Sequence, residues 1–141
     1  MMKQFQVFAL ISMIFAGLTA VIAKAGLRNV SSDTGLAVRT SFVFGLIWLN
    51  ILCFSPLKDF ANLTKRDFLF LGISGLTTAI SWIFYYRAIK IGNVSEVALI
   101  DKGSIIITLL LSFLFLHEQF TWRVAAGAIL IVAGLVVLTI K

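Results

Sequence analysis

Long apolar runs separated by short polar segments set the pattern of this chain. The runs cover residues 5–23, 35–54, 68–89, 94–116 and 124–140. An α-helix needs about 20 apolar residues to cross a bilayer core that is about 30 Å thick. The pattern therefore predicts an all-α membrane protein. It would be a bundle of five transmembrane helices that form a single domain over residues 1–141.

The composition supports a membrane protein and argues against other classes. Hydrophobic residues make up 60% of the 141 residues, whereas a soluble domain is nearer half apolar. One cysteine (Cys53) and one histidine (His117) predict no disulfide, no metal site and no bound cofactor. No nucleophile–base pair or phosphate-binding loop is recognisable, so an enzyme is not expected. The net charge of +6 comes from single basic residues between apolar runs, which is typical of membrane helix flanks rather than of nucleic-acid binding.

The first apolar run has two interpretations. Ala23-Lys24-Ala25 fits the small-x-small pattern of a signal-peptide cleavage site. However, the run is longer than the usual signal-peptide core of about 7–15 apolar residues. A retained membrane span is therefore favoured.

The fourth run contains charged residues in its first third. Asp101 lies about 10 Å along the helix from Val94, well inside the bilayer core. Charges at that depth face a polar cavity, a partner charge or a helix interior, so they are candidates for a substrate or ion pathway. Ser104 and Thr108 continue a polar line on the Asp101 face. Lys102 points about 100° away, and an ion pair with another helix is the structural alternative.

Glu96 also lies in this run, near its beginning. Asn93 with Glu96 three residues later resembles a capping box, in which both side chains satisfy free backbone N–H groups. A capping role for Glu96 is therefore favoured over a place in the pathway.

Arg39 and a group of aromatic residues are further pathway candidates. Arg39, near the start of the second run, either extends to the interface or lines the mouth of a cavity. Trp82, Tyr85 and Tyr86 end the third run. They form an aromatic belt at the interface, which is the favoured interpretation, or line a substrate pocket.

Small residues predict where helices pack closely. Gly72 and Gly75 share a face of the third run, and Gly127 and Gly134 repeat at a spacing of seven in the fifth. Pro56 is expected to end the second helix.

The basic residues give no clear orientation in the membrane. With five alternating spans, each side holds five of them: Lys3, Lys58, Lys65, Arg66 and Arg123 on one side, and Lys24, Arg28, Arg87, Lys90 and Lys141 on the other. Cytoplasmic loops normally hold the excess. A balanced count is what a chain that inserts in both orientations would show, and two such copies would form an inverted pair.

The segment from Trp82 to Lys141 resembles the EamA domain of the drug/metabolite transporter superfamily. The resemblance rests on the block WIFYYRAIKIGNVSEVALIDKGSIIITLLLSFLFLHE and on the following helix AAGAILIVAGLVVL. The cluster IDKGS at residues 100–104 is similar to that of single-domain, five-span members. The first half agrees in its number of spans and in Arg39 early in the second helix.

The resemblance carries expectations about function. Typical members hold two inverted repeats and move small metabolites across the inner membrane. One repeat therefore implies a homodimer, expected to be antiparallel, that lies in the inner (plasma) membrane as a multi-pass protein. Two features depart from related proteins: the fourth helix lacks a common proline, and the first helix lacks the acidic residue of small multidrug resistance transporters.

The resulting hypothesis is a transporter of small metabolites with a central cavity and alternating access. Asp101 would bind substrate or the coupling ion, with Lys102 as its counter-charge. Two alternatives remain: a non-transporting accessory subunit of a membrane complex, and a flippase for a lipid-linked intermediate.

Overall fold

Helices account for nearly all of the described chain. The computed structural model describes residues 3–54, 57–119 and 121–139, and that part of the chain contains no strand. Pro56, predicted to end the second helix, lies outside these residues. The helices are α1 (Gln4–Gly26), α2 (Ser32–Phe54), a short 3-10 helix (Leu57–Asn62), α3 (Lys65–Ile91), α4 (Val94–Asp101), α5 (Ser104–Phe115) and α6 (Trp122–Thr139).

The five apolar runs fit these helices. α1, α2, α3 and the segment Val94–Phe115 are each long and apolar enough to cross a membrane. α6 contains a shorter apolar stretch, Trp122–Val137. An all-helical, multi-pass arrangement follows, because a helix satisfies its own backbone hydrogen bonds in a lipid environment.

The polar segments between the first three helices are shorter than the sequence pattern predicts, because polar caps extend the helices. The Thr34 N–H donates to the Ser31 hydroxyl oxygen at 3.1 Å at the start of α2. At the start of α3, the Thr64 N–H donates to the Asp67 carboxylate at 3.1 Å, and the Asp67 N–H donates to the Thr64 hydroxyl at 3.2 Å. Such caps satisfy N–H groups that lack partners within the helix.

The fourth apolar run differs from the single regular helix that the sequence suggests. It divides into α4 and α5 at Lys102 and Gly103. Hydrogen bonds tighten there to the i+3 pattern, from Gly103 N–H to Ile100 O at 2.9 Å and from Ile105 N–H to Lys102 O at 3.1 Å. The sequence has no proline at this break.

The chain forms two compact units, Met1–Ile91 and Gly92–Lys141. The N-terminal unit has a small core where α1 and α3 end. Leu27 is 2% exposed and Ile89 is 0% exposed, and Ala20 and Tyr86 are also buried. This core holds the ends of the two helices together.

Two lysines connect the same helix ends. The Lys24 ammonium donates to the carbonyl oxygens of Ile89 at 2.5 Å and Lys90 at 3.2 Å, at the end of α3. In return, the Lys90 ammonium donates to the carbonyl oxygen of Leu27, just beyond the end of α1. We call this reciprocal pair the lysine clasp. Cations are favourable at helix C-termini, where carbonyl groups lack partners.

An ion pair places the start of α2 at the same end. Arg87 on α3 lies 3.2 Å from the Asp33 carboxylate on α2. Two parallel N–H···O bonds join them, from Arg87 Nε and Nη2 to the two oxygens. The ends of α1 and α3 and the start of α2 therefore share one side of the unit, so α2 runs opposite to its neighbours.

The apolar faces of the helices remain exposed. Phe42 is 71% exposed, Phe54 82% and Leu130 73%. Soluble monomers rarely expose large contiguous apolar patches. A bilayer or partner helices would cover these apolar surfaces and keep them from contact with water.

Candidate functional site: an arginine in an apolar cavity

A cavity of about 450 Å³ lies in the N-terminal unit. Small-molecule sites commonly occupy about 300–1,000 Å³. The lining comes from α1, the connection to α2, the first turns of α2 and one residue of α3: Thr19, Ile22, Ala23, Gly26, Leu27, Val30, Thr34, Gly35, Val38, Arg39 and Tyr86. The cavity thus lies at the end of the unit where the lysine clasp forms.

Arg39 is the charged residue of this lining. It lies seven residues into α2, about 10 Å along the helix axis from Ser32. Its guanidinium carbon is 4.3 Å from the centre of the Trp82 ring and 5.8 Å from that of Tyr86. A half-buried cation–π contact of this kind contributes about 1–2 kcal/mol. The sequence did not predict that Arg39 meets the aromatic residues of α3.

The hydrogen-bonding capacity of Arg39 is not filled within the described residues. Its Nη1 atom is buried and has no hydrogen-bond partner in that part of the chain. An aromatic ring balances positive charge but does not replace an acceptor in the guanidinium plane. A buried N–H group left without an acceptor costs about 1–3 kcal/mol.

The aromatic candidates take different positions. Tyr86 is buried and lines the cavity, and Trp82 is half-buried beside Arg39. The Tyr85 ring is 6.5 Å from that of Tyr86, but Tyr85 does not line the cavity. The site therefore combines Arg39 with Trp82 and Tyr86.

The charged candidates of the fourth run lie in the C-terminal unit. Asp101 is the last residue of α4, and Lys102 follows it as the C-cap. Both side chains are exposed, and neither forms an ion pair within 4.0 Å with a described residue. On the predicted polar line, the Thr108 hydroxyl donates to the backbone carbonyl oxygen of Ser104 at 3.0 Å.

Glu96 does not complete the predicted capping box. Asn93 is the N-cap of α4, but its side chain makes no hydrogen bond to the helix backbone. Instead, its amide nitrogen donates to the Glu96 carboxylate at 3.2 Å. This bond occupies the two side chains with each other, so the predicted box is wrong although the cap position is right.

The glycines of the predicted packing faces have open surroundings. In the part of the chain that the structure describes, a Cβ atom at Gly72, Gly75, Gly127 or Gly134 would have no atom within 4 Å apart from its chain neighbours and its own helix backbone. Two other glycines are crowded. A Cβ at Gly35 would overlap the Leu27 side chain, and one at Gly103 would lie 3.0 Å from Ile100 O and 3.3 Å from Leu135 Cδ1.

Several residues of the N-terminal unit were missed by sequence reasoning. Lys24, Lys90, Asp33 and Arg87 read as polar residues that flank membrane spans, and only the fold brings their partners within reach. A usable signal was the placement of a lysine in the last turn of both α1 and α3, where cations stabilise free carbonyl groups.

Several helices of membrane-spanning length and composition indicate a multi-pass membrane protein, and comparisons with known proteins place it among transporters. Residues 5–140 match the EamA-like transporter family. A Sinorhizobium sp. protein described as "Uncharacterized transporter in cobO 3'region" is 35% identical over 140 residues, which covers 99% of each chain. The chain belongs to the EamA-like transporter family. No solved structure matches it significantly.

Proposed function

We propose that this protein transports small metabolites through a cavity lined by Arg39 and Tyr86, with Trp82 beside the Arg39 guanidinium. The observation that carries the proposal is the cavity of about 450 Å³ with a cation held in its wall. A charge in a membrane span is costly and is retained where it faces a pathway or a partner. A volume of this size suits a small molecule better than a lipid-linked intermediate.

The proposal includes a dimer of oppositely inserted copies in the inner membrane. The exposed glycine faces on α3 and α6 support close packing against another helix. The exposed Asp101 and Lys102 also need a polar environment inside a membrane. A second copy, inverted relative to the first, would supply one at a central cavity, as paired inverted repeats do in other transporters.

In this scheme Asp101 and the polar residues near it in the sequence form the site at the central cavity. Asp101 would bind the coupling ion or a substrate group, while Lys102, Ser104, Thr108 and Glu96 would set the polarity around it. One copy would rock against the other to give alternating access. An accessory subunit would use the same glycine faces for a different partner, so the test must measure transport.

The transport test uses purified protein in liposomes. The vesicles are loaded with acidic, neutral and basic amino acids, sugars and small carboxylates, and their release is followed by mass spectrometry. We expect selective release of one class above the level of protein-free vesicles. No release of any class, together with a stoichiometric protein partner in purifications from native membranes, would favour the accessory subunit.

The orientation test uses single cysteines. The exposed Cys53 is replaced by Ser. Asn29→Cys, before α2, and Asn62→Cys, beyond its other end, are then made in separate variants. An impermeant thiol reagent should label about half of the copies of each variant on intact cells if insertion occurs both ways. Complete labelling at one position and none at the other would exclude the antiparallel homodimer.

A further inference from the structure

The Arg39 guanidinium lacks an acceptor for a buried N–H group. The rings of Trp82 and Tyr86 lie near its charge, but Nη1 has no hydrogen-bond partner among the described residues. Arginine presents five N–H donors in a planar fork that matches carboxylate and phosphate groups. A group that hydrogen-bonds to this guanidinium must be an acceptor, and an anionic acceptor matches it best.

The cavity beside Arg39 contains nothing that would repel an anion. None of the described residues in its lining is acidic. The two threonine hydroxyls of the lining have local partners: the Thr19 hydroxyl donates to Phe15 O at 2.8 Å, and Thr34 Oγ1 accepts from the Ser31 hydroxyl at 2.8 Å. Most other lining residues are aliphatic, so the cavity favours a ligand with an apolar body.

The surrounding charges favour the approach of an anion. Lys24, Arg28, Arg87 and Lys90 lie at the end of the unit where the cavity forms, and Asp33 is the acidic residue beside Arg87. Four positive charges and one negative charge leave a net charge of +3. Clustered charge of one sign raises the local concentration of oppositely charged ligands.

From these observations we propose that the Arg39 cavity binds an amphipathic anion, with its carboxylate or phosphate group on Arg39 and a compact apolar body in the cavity. The identification of this anion as the transported substrate rests on the proposed function above. Binding itself does not, because it is a property of the N-terminal unit and can be measured without transport.

Binding can be read directly from Trp82. Trp48 and Trp122 are replaced by Phe in the full-length protein, so that Trp82 alone reports beside Arg39. The probes have the same phenyl body and differ in charge: phenylacetate, phenyl phosphate, neutral phenylacetamide and cationic phenethylamine. We expect saturable fluorescence changes with one or both anions, at affinities at least about tenfold higher than with the amide or the amine.

Variants at Arg39 separate the guanidinium from general effects. Arg39→Gln should weaken anion binding by about 10- to 100-fold, because this is the loss of affinity expected when a hydrogen bond between charged groups is removed. Arg39→Lys keeps the charge but loses the planar fork, so we expect an intermediate affinity. Arg66→Gln is the matched control, because Arg66 lies 5.6 Å from the Phe70 ring but does not line the cavity.

Each outcome either supports or overturns anion binding in the Arg39 cavity. A preference for phenylacetate alone would assign a carboxylate, a preference for phenyl phosphate a phosphate, and loss in Arg39→Gln with binding retained in Arg66→Gln would support the site. Equal binding of the amide or the amine, or no binding by correctly folded protein, would overturn the proposal. So would dissociation of a dimer by Arg39→Gln with no effect of anions, since a carboxylate of the second copy would then be the partner. If anions bind but no solute crosses the membrane, only the proposed function fails.

Discussion

The two units place a charged residue of a membrane-length helical segment in different surroundings. In the N-terminal unit, α1, α2 and α3 line a cavity that includes Arg39, and the Trp82 ring lies 4.3 Å from the guanidinium carbon. In the C-terminal unit, Asp101 and Lys102 lie exposed at the break between α4 and α5, without an ion pair to a described residue.

The surroundings of Arg39 are therefore formed largely by one chain, whereas those of Asp101 are not. Arg39 needs only an acceptor to complete its surroundings, which a ligand can supply. Asp101 needs a polar environment of larger extent, because an isolated carboxylate in hydrocarbon is costly. The first site therefore points to recognition of a ligand, and the second to a partner chain or a water-filled path.

The largest effect is expected at Asp101. Asp101→Asn should reduce transport to the level of protein-free liposomes while membrane insertion and yield stay normal, because the carboxylate is proposed to bind the coupling ion or substrate. The measurement is solute release from liposomes. Glu118→Gln is the control, an exposed carboxylate after the end of α5. Normal transport by Asp101→Asn would leave Asp101 with a structural role.

The next largest effect is expected at the Arg39 cavity. Trp82→Leu removes the ring beside Arg39 and should weaken binding of the preferred anion by up to about 30-fold, because loss of a cation–π contact of up to about 2 kcal/mol lowers the fraction of protein whose guanidinium is positioned to bind. Calorimetric titration measures this change. Trp48→Leu serves as the control, because Trp48 stacks on Phe60 away from the cavity. Equal losses in both variants would indicate a general effect of removing tryptophan.

A smaller effect is expected from loss of the lysine clasp, which joins the helix ends beside the Arg39 cavity. Lys90→Met removes the donor to the carbonyl oxygens of Leu27, Arg28 and Val30. We expect a loss of about 1.5 kcal/mol in stability, the low end for a charged hydrogen bond because Lys90 is only half-buried. Thermal unfolding in detergent would show a lower melting temperature, whereas Lys58→Met, in the 3-10 helix, should leave it unchanged. An unchanged melting temperature for Lys90→Met would mean that the Lys90 bonds of the lysine clasp contribute nothing to stability.

The smallest effect compares two glycines of the C-terminal unit. Gly103→Ala places a Cβ 3.0 Å from Ile100 O, so we expect a net loss of about 1 kcal/mol from overpacking. Gly127→Ala meets nothing within 4 Å and should stabilise the helix by up to about 1 kcal/mol. Thermal unfolding of the monomeric protein in detergent distinguishes them. If Gly127→Ala also weakens a measured dimer, its face is a protein interface.

Sequence reasoning located the spans more accurately than the site. The helices follow from the lengths of the apolar runs, and the extra turns of α2 and α3 come from caps at Ser31 and Thr64. The break at Gly103 was not predicted as a change of helix, since a glycine alone costs a helix only about 1 kcal/mol. Asp101 drew attention because a charge within an apolar run is conspicuous.

By itself, the sequence determined a multi-pass helical membrane protein, because apolar runs of bilayer length have no other stable arrangement in lipid. The EamA resemblance likewise follows from local residue patterns. Only the tertiary structure decided that Arg39 meets Trp82 and that Lys24 reaches Ile89, which is 65 residues away. Such contacts depend on how separate helices pack and rotate against one another, and the period of a single helix contains no information about its partner.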